Sequence, residues 1–118
     1  THLIGTNHIP NFEGSILIIE DIGEAPYRID RMLTHLRLAG ILKKISGLGF
    51  GSFTNCTNKE SVNKDESFDL DHIFKDRTKD LKIPIISNLP IGHGYANASL
   101  PIGSQSLIDG DKGRLSLL

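Results

Sequence analysis

The stretch Ser15–Leu33, which reads SILIIEDIGEAPYRIDRML, places a strand directly before a helix. Its first five residues, Ser15–Ile19, form a continuous apolar run rich in β-branched side chains, which is typical of a buried strand in a parallel sheet. Glu20–Glu24 follows as a polar connection. A helix is predicted to begin near Pro26, because proline suits the first helical turn. Apolar side chains then recur at helical spacing up to Gly40, a residue suited to end the helix.

The rest of the chain repeats this alternation of strand and helix. Ile45–Phe53 is predicted to be a second strand, in which glycines allow other groups to approach closely. Asp69 is predicted to cap a second helix, and Ile83–Ser87 is a third strand candidate. The order strand, helix, strand, helix, strand indicates parallel βαβ units. The residues expected to share one face of the second helix are Leu70, Ile73, Phe74, Arg77 and Leu81.

The end of the chain follows a different pattern. Ser104–Ile108 and Arg114–Leu118 flank Asp109–Gly113, and this arrangement predicts a terminal hairpin. Asn55–Ser67 is polar and is interpreted as a surface loop, in which Cys56 is incidental. The predicted fold class is therefore α/β, with a short parallel sheet, two main helices and a β-rich C-terminal end.

Composition excludes several classes of protein. The 118 residues make up a single domain, and their formal net charge of −1 gives no bulk attraction to nucleic acid or to an acidic membrane. Cys56 is the only cysteine, which rules out a disulfide scaffold, and the apolar runs are far too short to cross a membrane. The chain begins with Thr1 and shows no leader, and we expect it to be part of a longer protein.

Three further sequence patterns do not predict a metal site or a phosphate site. The histidines lack the spacing of a zinc site, and the glycines of Gly47–Gly51 do not form a phosphate-binding fingerprint. Asp109–Gly113 resembles part of a calcium loop but lacks the later glutamate, so it is interpreted as a turn. No metal and no cofactor are predicted.

Glu20 and His93 are the candidate catalytic residues. Glu20 ends the predicted buried strand, and sites in open α/β sheets gather at that end; the alternative is a helix N-terminal charge or a salt bridge. His93 lies in Pro90–Gly94, inside the stretch Ile83–Ile108 that contains no Asp, Glu, Lys or Arg. Its alternative role is a loop histidine bonded to a carbonyl group.

A carboxylate that accepts a proton from Nδ1 of a histidine holds that ring as a base, which is the arrangement of a nucleophile triad. The third member is missing. The sequence has no Gly-x-Ser-x-Gly elbow, and Ser52 stands in no recognised nucleophile setting. The residues alone therefore supply an orienting carboxylate and a base without a nucleophile.

Ile18–Leu33 closely resembles the segment that reads roughly LEDxGExPYxIDRML in the bacterial LD-carboxypeptidases, which are serine peptidases of peptidoglycan recycling. Further blocks resemble the same family in the same order, and together they cover the chain apart from the loop Asn58–Ser67. These blocks are Leu3–Thr6, Asn11–Gly14, Leu38–Gly40, Pro90–Gly94 and Leu100–Gly103.

The resemblance implies that this chain is a C-terminal domain of the swivelling β/β/α type. The nucleophilic serine would lie in an upstream N-terminal domain, with Glu20 and His93 as the triad Glu and His. It further implies hydrolysis of the terminal D-Ala from muropeptide tetrapeptides, without a cofactor, in a cytoplasmic parent that could be a homodimer. The 118 residues alone are expected to be inactive. Ser52 departs from the family, whose members often have a basic residue there.

Two alternatives remain open. The first is a microcin-immunity type serine peptidase that cleaves an acyl-nucleotide amide, and an upstream aromatic residue for base stacking would distinguish it. The second is a non-catalytic swivelling or interaction module that has kept the scaffold.

Overall fold

The computed structural model describes residues 1–57 and 69–118. Most of the predicted loop Asn55–Ser67 lies outside these described residues, and so does the loop that the family blocks leave uncovered. A single 3-10 turn, Ile41–Lys43, follows the first helix. The other elements in chain order are β1 (Ile16–Ile22), α1 (Pro26–Leu38), β2 (Gly47–Thr54), α2 (Leu70–Thr78), β3 (Ile85–Ile86), β4 (Ser106–Asp109) and β5 (Arg114–Leu117).

Two sheets are present among the described residues. The first has the order β1-β2-β3 with both pairs parallel, and the second is the antiparallel hairpin β4-β5. This confirms the predicted α/β class, with its short parallel sheet, two helices and β-rich end. The third strand is shorter than the predicted Ile83–Ser87. Pro84 has no amide hydrogen to donate to a ladder, and Asn88 turns the chain with a φ of 60°.

The predicted polar connection Glu20–Glu24 is wrong at its start, because β1 continues through Ile22. The pairing between β1 and β2 shifts its register at the charged residues of β1. Ile19 pairs with Phe50 but Asp21 pairs with Phe53, so Glu20 faces two residues of β2 instead of one. Such bulges re-aim a side chain and occur often beside functional sites.

The core lies between the helices and the parallel sheet. Buried aliphatic side chains of α1 pack with Leu48 of β2, which is fully buried. Phe50 and Phe74 stack with ring centroids 4.1 Å apart, joining β2 to α2. Cys56 is 4% exposed and belongs to this core, so its predicted place in a polar surface loop is wrong. Burial raises the pKa of its thiol.

Helix α2 begins as predicted, because the side chain of Asp69 accepts a hydrogen bond from the amide of His72 at 2.7 Å. It ends at Thr78, so Leu81 lies beyond the helix, contrary to prediction. Arg37 of α1 accounts for this end. Its guanidinium donates to the carbonyl oxygen of Arg77 at 2.7 Å and thereby satisfies a group that a longer helix would use.

Two arginine–aspartate pairs join α1 to α2. Arg37 forms a bidentate pair with Asp80 at 2.7 and 2.8 Å, and Arg77 forms one with Asp30 at 2.5 and 3.0 Å. The hydrogen bond from Arg37 is the main reason why the pKa of the Asp80 carboxyl falls to about 2. These pairs fix the relative position of the helices on one side of the sheet.

The terminal hairpin is confirmed, with slightly shorter strands than predicted. Asp109, the last residue of β4, accepts a hydrogen bond from the Lys112 amide at 3.0 Å and pairs with the Lys112 ammonium at 3.4 Å, and residues 110–113 form the turn. Among the residues that the structure describes, no helix has the length and apolarity needed to cross a bilayer.

Candidate active site

The side chains of Glu20 and His93 meet, although the two residues are 73 positions apart in the sequence. Nδ1 of His93 lies 2.9 Å from Oε2 of Glu20. The Glu20 side chain is 31% exposed and the His93 side chain 58%. A proton on Nδ1 would be donated to the carboxylate in this geometry, and the tautomer that carries it presents Nε2 as an acceptor. Both candidate residues are therefore in one place, with an oriented imidazole that faces outward.

After β3 ends, the chain continues into the loop that carries His93, and this loop remains hydrogen-bonded to β2. The amide of Leu89 donates to the carbonyl oxygen of Phe50 at 3.0 Å, and the amide of Ser52 donates to that of Ile91 at 2.8 Å. The loop also closes on itself, because the Ala98 amide donates to the Pro90 carbonyl oxygen at 2.6 Å. These bonds define a compact loop, residues 90–98, on the edge of β2.

Two glycines allow this loop to lie against Glu20. Gly92 has a φ of +109°, and a Cβ atom built on it would collide with Oε2 of Glu20 and with Oγ of Ser52. A Cβ atom on Gly51 would collide with the carbonyl oxygen of Ile91 and would lie 3.0 Å from Cβ of Glu20. The prediction that glycines of the second strand permit close approach is confirmed at Gly51.

Hydroxyl groups of β2 also hold this loop, which the sequence did not reveal. Ser52 Oγ donates to the carbonyl oxygen of Ile91 at 3.1 Å, and Thr54 Oγ1 donates to that of His93 at 2.9 Å. The only sequence signal is a pair of hydroxyl residues two positions apart at the end of the strand. In the described part of the chain, Ser52 makes no hydrogen bond to the His93 ring.

Glu20 and Glu24, which follow each other in the segment Ile18–Leu33, have different partners. Glu24 pairs with Arg28 one helical turn later, at 3.5 Å, while Glu20 reaches His93. Across residues 1–57 and 69–118, no group of three or more His, Cys, Asp or Glu side chains gathers in a way that could hold a metal ion.

A groove of about 430 Å³ lies beside the His93 loop, between β2 and α2. Tyr95, two residues after His93, is fully exposed at the rim of this groove.

The uncharged stretch Ile83–Ile108 is partly buried and partly exposed: Ile86 and Ile108 are buried, whereas Tyr95 and Ile102 face solvent. The apolar residues that line the groove include Phe50, Phe53, Phe74, Leu89 and Pro90.

Comparison with known proteins identifies the family. The sequence model of the family described as LD-carboxypeptidase C-terminal domain matches residues 1–108 of this chain. The chain belongs to the LD-carboxypeptidase family. A Synechocystis sp. protein with a carboxypeptidase name is 46% identical over the whole chain, which covers 38% of that relative. The murein tetrapeptide carboxypeptidase of Pseudomonas aeruginosa is 33% identical over 92% of this chain, or 33% of the relative.

This LD-carboxypeptidase domain therefore spans 33% to 38% of the length of these two curated relatives. The crystal structure of muramoyltetrapeptide carboxypeptidase from Oxalobacter formigenes matches 98% of the chain, with a TM-score of 0.82 and 35% identity, and 40% of that chain is covered. The structure of the microcin C7 self-immunity protein MccF matches 98% of this chain, and the match covers 33% of the MccF chain. The TM-score is 0.81 and the identity 21%, so the similarity is one of fold alone.

Proposed function

We propose that Glu20 and His93 are the Glu and His of a Ser-Glu-His triad in an LD-carboxypeptidase that removes the terminal D-Ala from muropeptide tetrapeptides. The observation that carries this proposal is the 2.9 Å contact between Nδ1 of His93 and Oε2 of Glu20. It leaves Nε2 free to act as a base, which is the role of the histidine in such triads. Membership of the family supplies the reaction class.

The steps of the proposed reaction follow from this geometry. Nε2 of His93 takes the proton from a serine hydroxyl, and the serine oxygen forms a bond to the carbonyl carbon of the scissile amide. The tetrahedral intermediate then expels the amine of D-Ala, which receives the proton from His93. Water, activated by the same nitrogen, hydrolyses the acyl-enzyme. Glu20 stabilises the imidazolium in each half of the reaction.

The serine of this mechanism is proposed to lie in an upstream N-terminal domain of a longer protein. The chain spans only 38% and 33% of the two relatives named above, which supports this arrangement. The exposed side chains around His93, Tyr95 among them, then face that domain and the muropeptide. The proposal includes a cytoplasmic role in peptidoglycan recycling, without a cofactor.

Release of D-alanine from a muramyl tetrapeptide tests the proposal. We would compare the 118-residue chain, the full-length protein and full-length variants His93→Ala and His35→Ala. His35 is an exposed histidine of α1 and serves as the matched control. We expect release by the full-length protein and by His35→Ala only. Release by the 118-residue chain would contradict the missing-serine assignment.

The two glutamates provide a second matched pair. Glu20→Gln should lower kcat by about 10²- to 10⁴-fold, because the amide no longer stabilises the imidazolium. Glu24→Gln loses only a surface pair with Arg28 and should stay within about twofold of the parent. A large loss of kcat in Glu24→Gln with normal kcat in Glu20→Gln would assign the triad glutamate to Glu24 instead of Glu20.

The same proteins would also be given an acyl-nucleotide amide. Its cleavage, with no release of D-alanine, would favour the microcin-immunity type of peptidase, whose fold this chain shares. Failure to cleave either substrate would favour a non-catalytic module.

A further inference from the structure

Thr54 contacts both segments of the chain whose side chains meet at the site. Its Oγ1 donates to the carbonyl oxygen of His93 at 2.9 Å. Its own carbonyl oxygen accepts from the amide of Gly23 at 2.8 Å, directly after the strand that carries Glu20. The last residue of β2 is therefore bonded to the Glu20 segment on one side and to the His93 loop on the other.

We infer that Thr54 is a positioning residue, whose hydroxyl fixes His93 against Glu20; this inference rests on the proposed function. The His93 side chain is more than half exposed, so packing restrains its ring weakly. Glycines flank it at 92 and 94, and these leave the backbone wide conformational freedom. The ring is therefore placed mainly by the hydrogen bonds that hold its loop.

The Thr54 hydroxyl differs from the other bonds of this loop because it acts on His93 itself. Ser52 holds Ile91 through both its amide and its hydroxyl, and Asn97 accepts from the Gly92 amide at 3.2 Å. Within the described ranges, no other hydrogen bond reaches the main chain of His93. Removing the Thr54 hydroxyl frees that carbonyl group while the loop stays attached on either side.

The expected consequence is a loss of alignment without a loss of fold. Thr54→Val keeps the β-branched shape that suits a strand and removes only the hydroxyl. This hydrogen bond lies at an exposed position, so water can bond to the His93 carbonyl oxygen instead. The ring then samples positions away from Glu20. Because small misplacements of a catalytic group are costly, kcat should fall by about 10- to 100-fold with KM nearly unchanged.

Thr78 provides a matched control. Its hydroxyl also donates to a main-chain carbonyl oxygen, that of Phe74, at 2.7 Å, but this bond lies within α2 and does not involve Glu20 or His93. Thr78→Val therefore removes the same type of hydrogen bond without touching the site. Thr54→Ser retains the hydroxyl and should restore activity to within about threefold of the parent.

The experiment measures D-alanine release by the full-length protein and its variants, together with the NMR signal of the Nδ1 proton of His93. We expect Thr54→Val to lose both kcat and that signal, and Thr54→Ser and Thr78→Val to keep both. If Thr54→Val unfolds in a urea titration where the parent does not, Thr54→Ala removes the same hydroxyl with less bulk.

Two results would overturn the inference. One is a Thr54→Val protein that keeps kcat and the Nδ1 signal while His93→Ala is inactive, which would leave the proposed function intact. The other is a Thr54→Ser protein as impaired as Thr54→Val, since the hydroxyl would then not be the cause. If His93→Ala remains active, the proposed function fails, and the Nδ1 signal alone decides whether Thr54 positions the ring.

Discussion

Replacing Gly92 with alanine should inactivate the site, because the new side chain collides with Glu20. Gly92 and Gly103 both have positive φ angles, +109° and +86°, so alanine at either position carries a backbone penalty of about 1–2 kcal/mol. Their surroundings differ. An added Cβ atom meets nothing within 4 Å at Gly103, whereas at Gly92 it meets Glu20 and Ser52. Gly103→Ala is therefore the matched control for backbone strain.

The required displacement follows from the distances. A Cβ atom added at Gly92 would lie 2.7 Å from Oγ of Ser52, and ordinary contact begins near 3.4 Å, so that oxygen must retreat by about 0.7 Å. Oε2 of Glu20 is closer still and must retreat by about 1 Å. Directed away from the His93 ring, a shift of that size takes the 2.9 Å contact beyond hydrogen-bond distance.

We expect Gly103→Ala to lose about 1–2 kcal/mol of unfolding free energy in urea titrations, and Gly92→Ala to lose more, because only there does the new side chain collide with Glu20 and Ser52. In the full-length protein, Gly92→Ala should also lower kcat for D-alanine release by about 10²- to 10⁴-fold, the range of a lost general base, while Gly103→Ala stays within about twofold. Equal losses of kcat in the two variants, or full activity of Gly92→Ala, would refute the reasoning.

Three further predictions concern the fold. Leu48→Ala should lower the unfolding free energy by about 2–5 kcal/mol in urea titrations, because Leu48 is fully buried, whereas Leu38→Ala on the exposed face of α1 should change it by less than about 0.5 kcal/mol. Cys56 should react with a thiol reagent only on unfolding, since burial raises its pKa; rapid native-state labelling would contradict this. Arg37→Met should raise the pKa of Asp80 from about 2 in an NMR titration. Because that pKa is depressed, the stability contributed by Asp80 is present above its unfolded-state pKa and lost as pH falls toward 2, and the variant should show a weaker dependence.

The periodic part of the fold was predictable from local sequence. The apolar run of Ser15–Ile19, the helical spacing after Pro26 and the cap at Asp69 each depend on neighbouring residues, and each prediction is confirmed. The unexpected features depend on distant contacts. Glu20 stays within its strand because β2 supplies an extra residue opposite it, and Cys56 is buried because the strand before it leads into the core.

The candidate site was predictable only in part, for the same reason. Residue types and spacing singled out Glu20 and His93, but spacing alone could not bring together residues 73 positions apart. The residue types suggested a carboxylate and a base, and the family resemblance added the expectation that both belong to one triad. Nothing local marks Thr54, because its hydroxyl acts on a carbonyl group in a remote loop.

The attachment of both segments to β2 has a consequence for motion between domains. Glu20 lies on a strand paired with β2, and the loop of His93 is bonded to the opposite edge of the same strand. A hinge rotation of this domain against an upstream domain would carry the two residues together as a rigid body. In the proposed enzyme, such a rotation changes the distance from serine to Nε2 and leaves the orientation of the imidazole intact.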